Sequence, residues 1–190
     1  QESSNSSYGI FENMEDAINA SIKTQRKVRQ LPLEFREKII ANIRKKTIQN
    51  AETMAEMGVK ETGMGRVGDK ILKHKLVAEK TPGTEDIKTV AWSGDRGLTL
   101  VEQGPFGVIG AITPSTNSSE TVICNTIGML SGGNTVVFNP HPGAIGVSNY
   151  AVELVNKASV EVGGPNYIAC LYRKKLININ DVSKQVSKIN

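Results

Sequence analysis

At 190 residues, 38% hydrophobic and 22% charged, the chain has the composition of a soluble globular polypeptide able to bury one core of ordinary size. No run approaches the ~18 apolar residues of a membrane span, and the Ser/Asn-rich start to Ser7 lacks the apolar centre of a signal peptide, so a cytosolic location is expected. Cys124 and Cys170 sit in apolar stretches without metal-ligand spacing, which argues against a disulfide framework or a zinc site.

In chain order, Asn13 is placed to cap a helix running to about Arg29, with Ala17, Ile18 and Ile22 on one face. Pro32 suits the first turn of a second helix whose apolar stripe is Phe35, Ile39, Ile40 and Ile43. Asn50 is expected to cap a third helix that stops near Gly63, and Arg66 to Lys80 makes a fourth that ends before Pro82. Asp86 to Trp92 and Leu98 to Gln103 flank Gly94-Asp95-Arg96-Gly97, which has the composition of a hairpin turn. From Gly107 to Thr113 the apolar residues run almost without interruption, the pattern of a strand covered on both faces in a parallel sheet. Pro114 ends that strand. Asn117 with Glu120 three residues on has the form of a capping box opening a helix from Ser118 to Leu130. A second buried strand, 134–138, runs into Asn139-Pro140-His141-Pro142, and Ala144 to Ala158 has helical periodicity. Strand, helix, strand, helix is the start of a doubly wound sheet, and Asn166 to Leu171 can supply a further strand.

Beyond it the composition changes. Arg173, Lys174, Lys175, Lys184 and Lys188 stand against Asp181 alone, so the formal net charge of +4 lies entirely in this segment. With Tyr172 as its one aromatic and no recognisable binding module, it is not read as a nucleic-acid surface. Lys, Asn and Ile make up half of the last twenty residues. Two readings stay open: an out-of-frame or rearranged terminus, and a divergent helix with Ile179, Val182, Val186 and Ile189 on one side.

Several strings occur together in order: Lys60-Glu61-Thr62-Gly63, Glu79-Lys80-Thr81-Pro82-Gly83, Ala91-Trp92-Ser93-Gly94-Asp95, the run from Pro105 to Asn117, Cys124 to Leu130, and Val137-Phe138-Asn139-Pro140-His141-Pro142. With these strings, the stretch from about Phe11 to Pro165 resembles the CoA-acylating aldehyde dehydrogenases of ethanolamine utilisation and of the propanediol pathway. The resemblance implies an α/β fold with four parts. Residues 1–85 are the helical part of the cofactor-binding domain, 86–104 a β-hairpin arm that builds a homo-oligomer and 105–171 the first half of a Rossmann-like NAD-binding sheet; 172–190, where the likeness stops, are the divergent basic tail. It further implies an NAD-dependent oxidation of a small aldehyde to acyl-CoA, in the cytosol or inside a bacterial microcompartment, without membrane or nucleic-acid partners. The nucleophilic cysteine of the family belongs to a catalytic domain beyond residue 190, so the chain is expected to be a truncated amino-terminal fragment. The alternative is a catalytically inactive product, at most an assembly or binding module.

The resemblance also implies site residues. Asn117 matches the family asparagine whose amide donates to the oxyanion formed when the thiolate attacks the aldehyde. Read from the residues alone, it is an ordinary N-cap. Ser118 stands where the family usually has Pro, which loosens the first helical turn. Thr113, Pro114, Ser115, Asn139, Pro140, His141 and Pro142 lie at the strand ends where open α/β sheets bind ligands, and are expected to hold NAD and then CoA. Asn139 and Pro142 occupy the places of the ribose-binding Lys and Glu of hydrolytic relatives, while His141 alone reads as a plain loop histidine. Cys124 maps to a helix position beside the cofactor strand and is expected to be a buried, inert thiol.

Overall fold

In the computed structural model, which describes residues 8–173, Asn13 opens the first helix as its side chain allows, its Oδ1 accepting from Glu15 N at 2.9 Å. That helix, α1 (Met14–Val28), buries Met14, Ala17, Ile18, Ser21, Thr24 and Val28, a stripe at three- and four-residue spacing. Three more helices follow: α2 (Leu33–Gln49), α3 (Ala51–Thr62) and α4 (Val67–Lys80). Pro32 precedes α2 instead of entering its first turn, and its carbonyl accepts from Phe35 N and Arg36 N. Asn50 also departs from expectation. Its side chain makes no bond to the amides of α3; Nδ2 donates to Lys46 O at 2.8 Å, closing the end of α2, and Oδ1 accepts from the Tyr150 hydroxyl. Gly63 ends α3 at φ 67°, the left-handed conformation that favours glycine at a helix terminus.

The hairpin consists of β2 (Val90–Gly94) and β3 (Gly97–Val101), joined across Asp95-Arg96 with Gly94 opposite Gly97. Both strands are shorter than expected; Asp86, the expected start of the first, belongs instead to a 3-10 turn, Thr84–Asp86. All ten strand residues are exposed. The doubly wound part follows as β4 (Val108–Thr113), α5 (Ser118–Ser131), β5 (Thr135–Pro140), α6 (Ile145–Glu161) and β6 (Ala169–Tyr172), with a 3-10 turn at Pro142–Ala144 ahead of α6. Strand β6 runs one residue past the expected Leu171. The proposed tail from Lys174 onward lies outside the described residues.

Neither the apolar pattern nor the resemblance indicated β1 (Ile10–Phe11), which pairs in parallel with β6. The parallel sheet therefore has the order β1-β6-β5-β4. Gly9 makes this join possible: at φ 91° its Cα passes so close to α6 that a Cβ would stand 2.4 Å from Asn156 Nδ2 and 2.5 Å from Ala169 O. Asn156 in turn donates to the carbonyls of Tyr8 and Ala169 and accepts from Ala169 N, fastening both strands to α6.

On one face of the sheet, Val136, Phe138, Ala169 and Leu171 pack against α5 and α6, with Ile39, Ile40 and Ile43 of α2 and Met54 of α3 joining the same core. On the other, among the described residues, α1 covers Val137, Cys170 and Tyr172 together with Phe11 and Tyr167. Every residue of β5 and β6 is buried, whereas β4 forms the sheet edge and leaves Ile112 45% exposed. Among the described residues, the cover on both faces that the apolar runs demand is complete for the inner strands only.

Candidate functional site

Strands β4 and β5 end side by side. Thr113 is the register partner of Pro140, and Thr113 O accepts from His141 N at 3.1 Å, so the loops 113–117 and 139–142 leave the sheet together. His141 caps its own turn, with Nδ1 accepting from Gly143 N at 3.0 Å, and its side chain is otherwise a loop histidine. Pro140 and Pro142 bracket it and hold φ on either side.

Several buried polar atoms near this edge have no hydrogen-bond partner among the described residues: Thr113 Oγ1, both polar atoms of the Asn139 side chain, and, in the first turns of α6, Ser148 Oγ and Asn149 Oδ1. Asn139 is 3% exposed. Leaving a buried donor or acceptor unpaired costs about 1–3 kcal/mol, and such groups tend to gather where function requires them. Donors and acceptors of this mixed kind fit the hydroxyl, amide and phosphoester groups of a nucleotide.

Below the 113–117 loop lies a polar cluster that sequence reasoning missed. Lys70 Nζ donates to Thr116 O at 3.0 Å and pairs with Glu120 Oε1 at 3.4 Å, the two side chains being 6% and 4% exposed. Glu120 is thus the partner of Lys70, and no capping box forms; Asn117 occupies the N-cap position of α5 without accepting from its amides. Its Oδ1 accepts instead from Lys73 Nζ at 2.9 Å. His74 completes the cluster. Its Nδ1 lies 2.7 Å from Lys70 O, which can only accept, so Nδ1 carries the proton; Nε2 lies 2.8 Å from Ser119 Oγ, whose one hydroxyl proton is shared between Nε2 and Glu120 Oε2 at 3.3 Å. Burial lowers the His74 pKa and favours this neutral ring, although the Glu120 carboxylate pulls the other way. The sequence signal was the placement of Lys70, Lys73 and His74 at i, i+3 and i+4, on one side of α4.

Glu61, from the Lys60-Glu61-Thr62-Gly63 string, spans from α3 to the start of α6. Its two carboxylate oxygens accept from Gly146 N at 2.7 Å and Val147 N at 2.8 Å. A distant side chain thereby supplies the cap that no residue next to α6 provides.

Of the thiols, Cys170 is buried in β6 and its pKa is pushed far up by desolvation, which suppresses the thiolate. Cys124 is only half-buried in α5, contrary to the expected full burial. Among the described residues no group of three or more acidic, His or Cys side chains is placed to hold a metal ion, and no helix is long and apolar enough to cross a membrane.

A model of the aldehyde dehydrogenase family matches residues 5–176. The chain belongs to that family. It is 50% identical over 157 residues to an acetaldehyde dehydrogenase (acetylating) of Bilophila wadsworthia, across 83% of this chain and 32% of that protein. It is 42% identical to a CoA-propanoylating propanal dehydrogenase of Salmonella typhimurium, across 82% of this chain and 34% of that protein. The chain thus spans about a third of the length of these curated relatives. Among solved structures, the propionaldehyde dehydrogenase of a Clostridium phytofermentans fucose-utilisation microcompartment superposes with a TM-score of 0.88 at 67% identity, covering 93% of this chain and 40% of that one. The Rhodopseudomonas palustris propionaldehyde dehydrogenase with bound CoA and an acylated cysteine does so at 44% identity with the same TM-score, covering 94% of this chain and 41% of that one. In this aldehyde dehydrogenase chain, the helices and the parallel sheet are those of the acylating members.

Proposed function

We propose that the chain is the amino-terminal, cofactor-binding part of an NAD-dependent CoA-acylating aldehyde dehydrogenase, which converts a small aldehyde, CoA and NAD into acyl-CoA and NADH. The observation that carries this reading is the group of unpaired buried polar atoms on Thr113, Asn139 and Ser148 at the carboxyl edge of β4 and β5. NAD, when bound, would supply the hydride acceptor and CoA the acceptor of the acyl group.

The residues of this chain bind and orient. Asn139 and Thr113 offer hydrogen bonds to the cofactor, Pro140 and Pro142 fix the path of the loop, and His141 holds its turn. Pro114 and Ser115 carry the chain from the sheet edge to Asn117, whose amide donates to the oxyanion of the attacked aldehyde. The thiolate is assigned to the remainder of the enzyme, where the family resemblance places it: Cys170 is buried in β6 and Cys124 sits within the helix α5.

The test has two steps. NAD and CoA are titrated separately into the 15N-labelled chain, with amide shifts expected at residues 113–117 and 139–149. Residues 8–173 are then exchanged for the matching portion of the Clostridium phytofermentans enzyme, and NADH formation is followed with propanal and CoA. Retained activity that falls about 10²- to 10³-fold with Asn117→Ala supports the reading; a folded exchange enzyme without NADH formation overturns it.

The exposed hairpin favours a second role for the same chain. Trp92 is 59% exposed on one face of the hairpin with Val90 and Val101, and Leu98 and Leu100 lie open on the other face. Apolar side chains of this kind fit the homo-oligomer arm, and dissociation in sedimentation on Trp92→Ser with Leu100→Ser tests it. Enclosure in a microcompartment rests on the Clostridium phytofermentans neighbour alone.

A further inference from the structure

The geometry points to Lys73 as a positioning residue for Asn117, and to α4 as the element that holds the whole oxyanion loop. The inference rests on the reading of Asn117 as oxyanion donor.

An asparagine at an oxyanion site must present its NH2 group, yet its two ends differ little in shape, and an unguided amide offers either. An ammonium group resolves the choice because it has donors and no lone pair. Lys73 Nζ, 2.9 Å from Asn117 Oδ1, therefore selects the rotamer in which the oxygen faces α4 and Nδ2 faces away from it. The same contact polarises the amide and strengthens its N–H as a donor. Among the described residues no cap bond to α5 competes for the Asn117 side chain.

One turn earlier on α4, Lys70 holds the backbone of this loop through Thr116 O at 3.0 Å. Lys70 is itself fixed by Glu120, and His74 ties α4 to Ser119 at the start of α5. A buried ion pair contributes little net stability, but it specifies one arrangement of the groups around it. Here the arrangement specified is the position of the carbonyl next to Asn117. Backbone and side chain of the loop are thus gripped by two lysines three residues apart on one helix, the first buried and the second exposed.

Two measurements test this. In the 15N-labelled chain the Asn117 side-chain NH2 pair, assigned by its loss in Asn117→Asp, should move toward the free-amide position in Lys73→Met and return in Lys73→Arg, with the backbone spectrum otherwise unchanged. An Asn117 NH2 pair that is the same in wild type and Lys73→Met overturns the inference. In the exchange enzyme described above, Lys73→Met should lower kcat about 10-fold with KM for the aldehyde little changed. On an Asn117→Ala background it should have no further effect. If Asn117→Ala lowers kcat and Lys73→Met does not, the role of Lys73 is refuted while the oxyanion reading stands; if Asn117→Ala itself has no effect, the oxyanion reading fails, and Lys73 with it as a determinant of rate.

Discussion

Removing the Glu61 carboxylate should detach the start of α6 from α3 at a measurable cost. In Glu61→Ala, Gly146 N and Val147 N lose acceptors at 2.7 and 2.8 Å, and both are among the first amides of a 17-residue helix that has no cap of its own. Loss of a side-chain cap costs about 0.5–2 kcal/mol. A negative charge at a helix start adds roughly 0.3–1 kcal/mol at an exposed position. Gly146 is exposed, so water can replace its lost acceptor, whereas Val147 is buried; with the cap and charge contributions overlapping, a loss of about 1–2 kcal/mol is expected. For a chain of this size that corresponds to a fall in Tm of about 2–8 °C. Glu61→Gln keeps one acceptor oxygen and should lose about half as much. Hydrogen exchange provides the local readout, with faster exchange at Gly146 and Val147 and unchanged protection in β5. A Tm within 1 °C of the wild type, together with unaltered exchange at those two amides, would refute the reasoning and leave Glu61 a surface residue.

Phe138→Ala, at a fully buried site in the middle of the sheet, should cost about 3–5 kcal/mol in urea unfolding, provided the variant still folds. Gly9→Ala should free β1 from β6, seen as rapid exchange at Leu171 N, whose acceptor is Gly9 O; retained protection there would mean that Asn156 gives way instead. The buried neutral ring of His74 has a pKa below the ordinary 6.5, so its stability contribution is present above about pH 6.5 and is lost as pH falls, because the unfolded chain then takes up a proton that the folded one resists. His74→Gln should therefore reduce the difference in unfolding free energy between pH 7 and pH 5, and an unchanged difference would place the acid sensitivity elsewhere. The exposed hairpin and the open edge of β4 should make the isolated chain self-associate or bind a hydrophobic dye, and a dye-silent monomer in light scattering would contradict this.

The elements with strong periodicity were legible in the sequence. The stripe of Ile39, Ile40 and Ile43 and the apolar run into Thr113 each declare a period, and the structure differs there by a residue or two at the ends. Strand β1 was not legible, because two residues carry no period and its existence depends on β6, far along the chain. Capping was legible only where it is local. Asn13 caps its own helix, but Asn50 and Asn117 have tertiary partners in Tyr150 and Lys73 that outbid the neighbouring amides, and no local pattern reports them. The same holds for Glu61 and Lys70, which read as ordinary helix-surface charges until α6 and α5 are placed beside them. At the candidate site, the strand-end residues could be named from the chain, whereas the unpaired state of Asn139 could not, since it is a property of what surrounds it.

The strand order also bears on how the molecule is made. Phe11 pairs with Tyr172, so the first of the described strands to leave the ribosome finds its place beside the last of them, about 160 residues later. Closing a loop of that size costs roughly 4–5 kcal/mol of chain entropy before any contact repays it. Until then α1 has only β4 and β5 to lie on, and the inner edge of β5 is open to pairing with another polypeptide. Synthesis therefore passes through a long interval in which most of the core can form but the sheet cannot close, and a pause or stop before Ala169 would leave a chain with two unpaired edges, a natural substrate for chaperones and proteases.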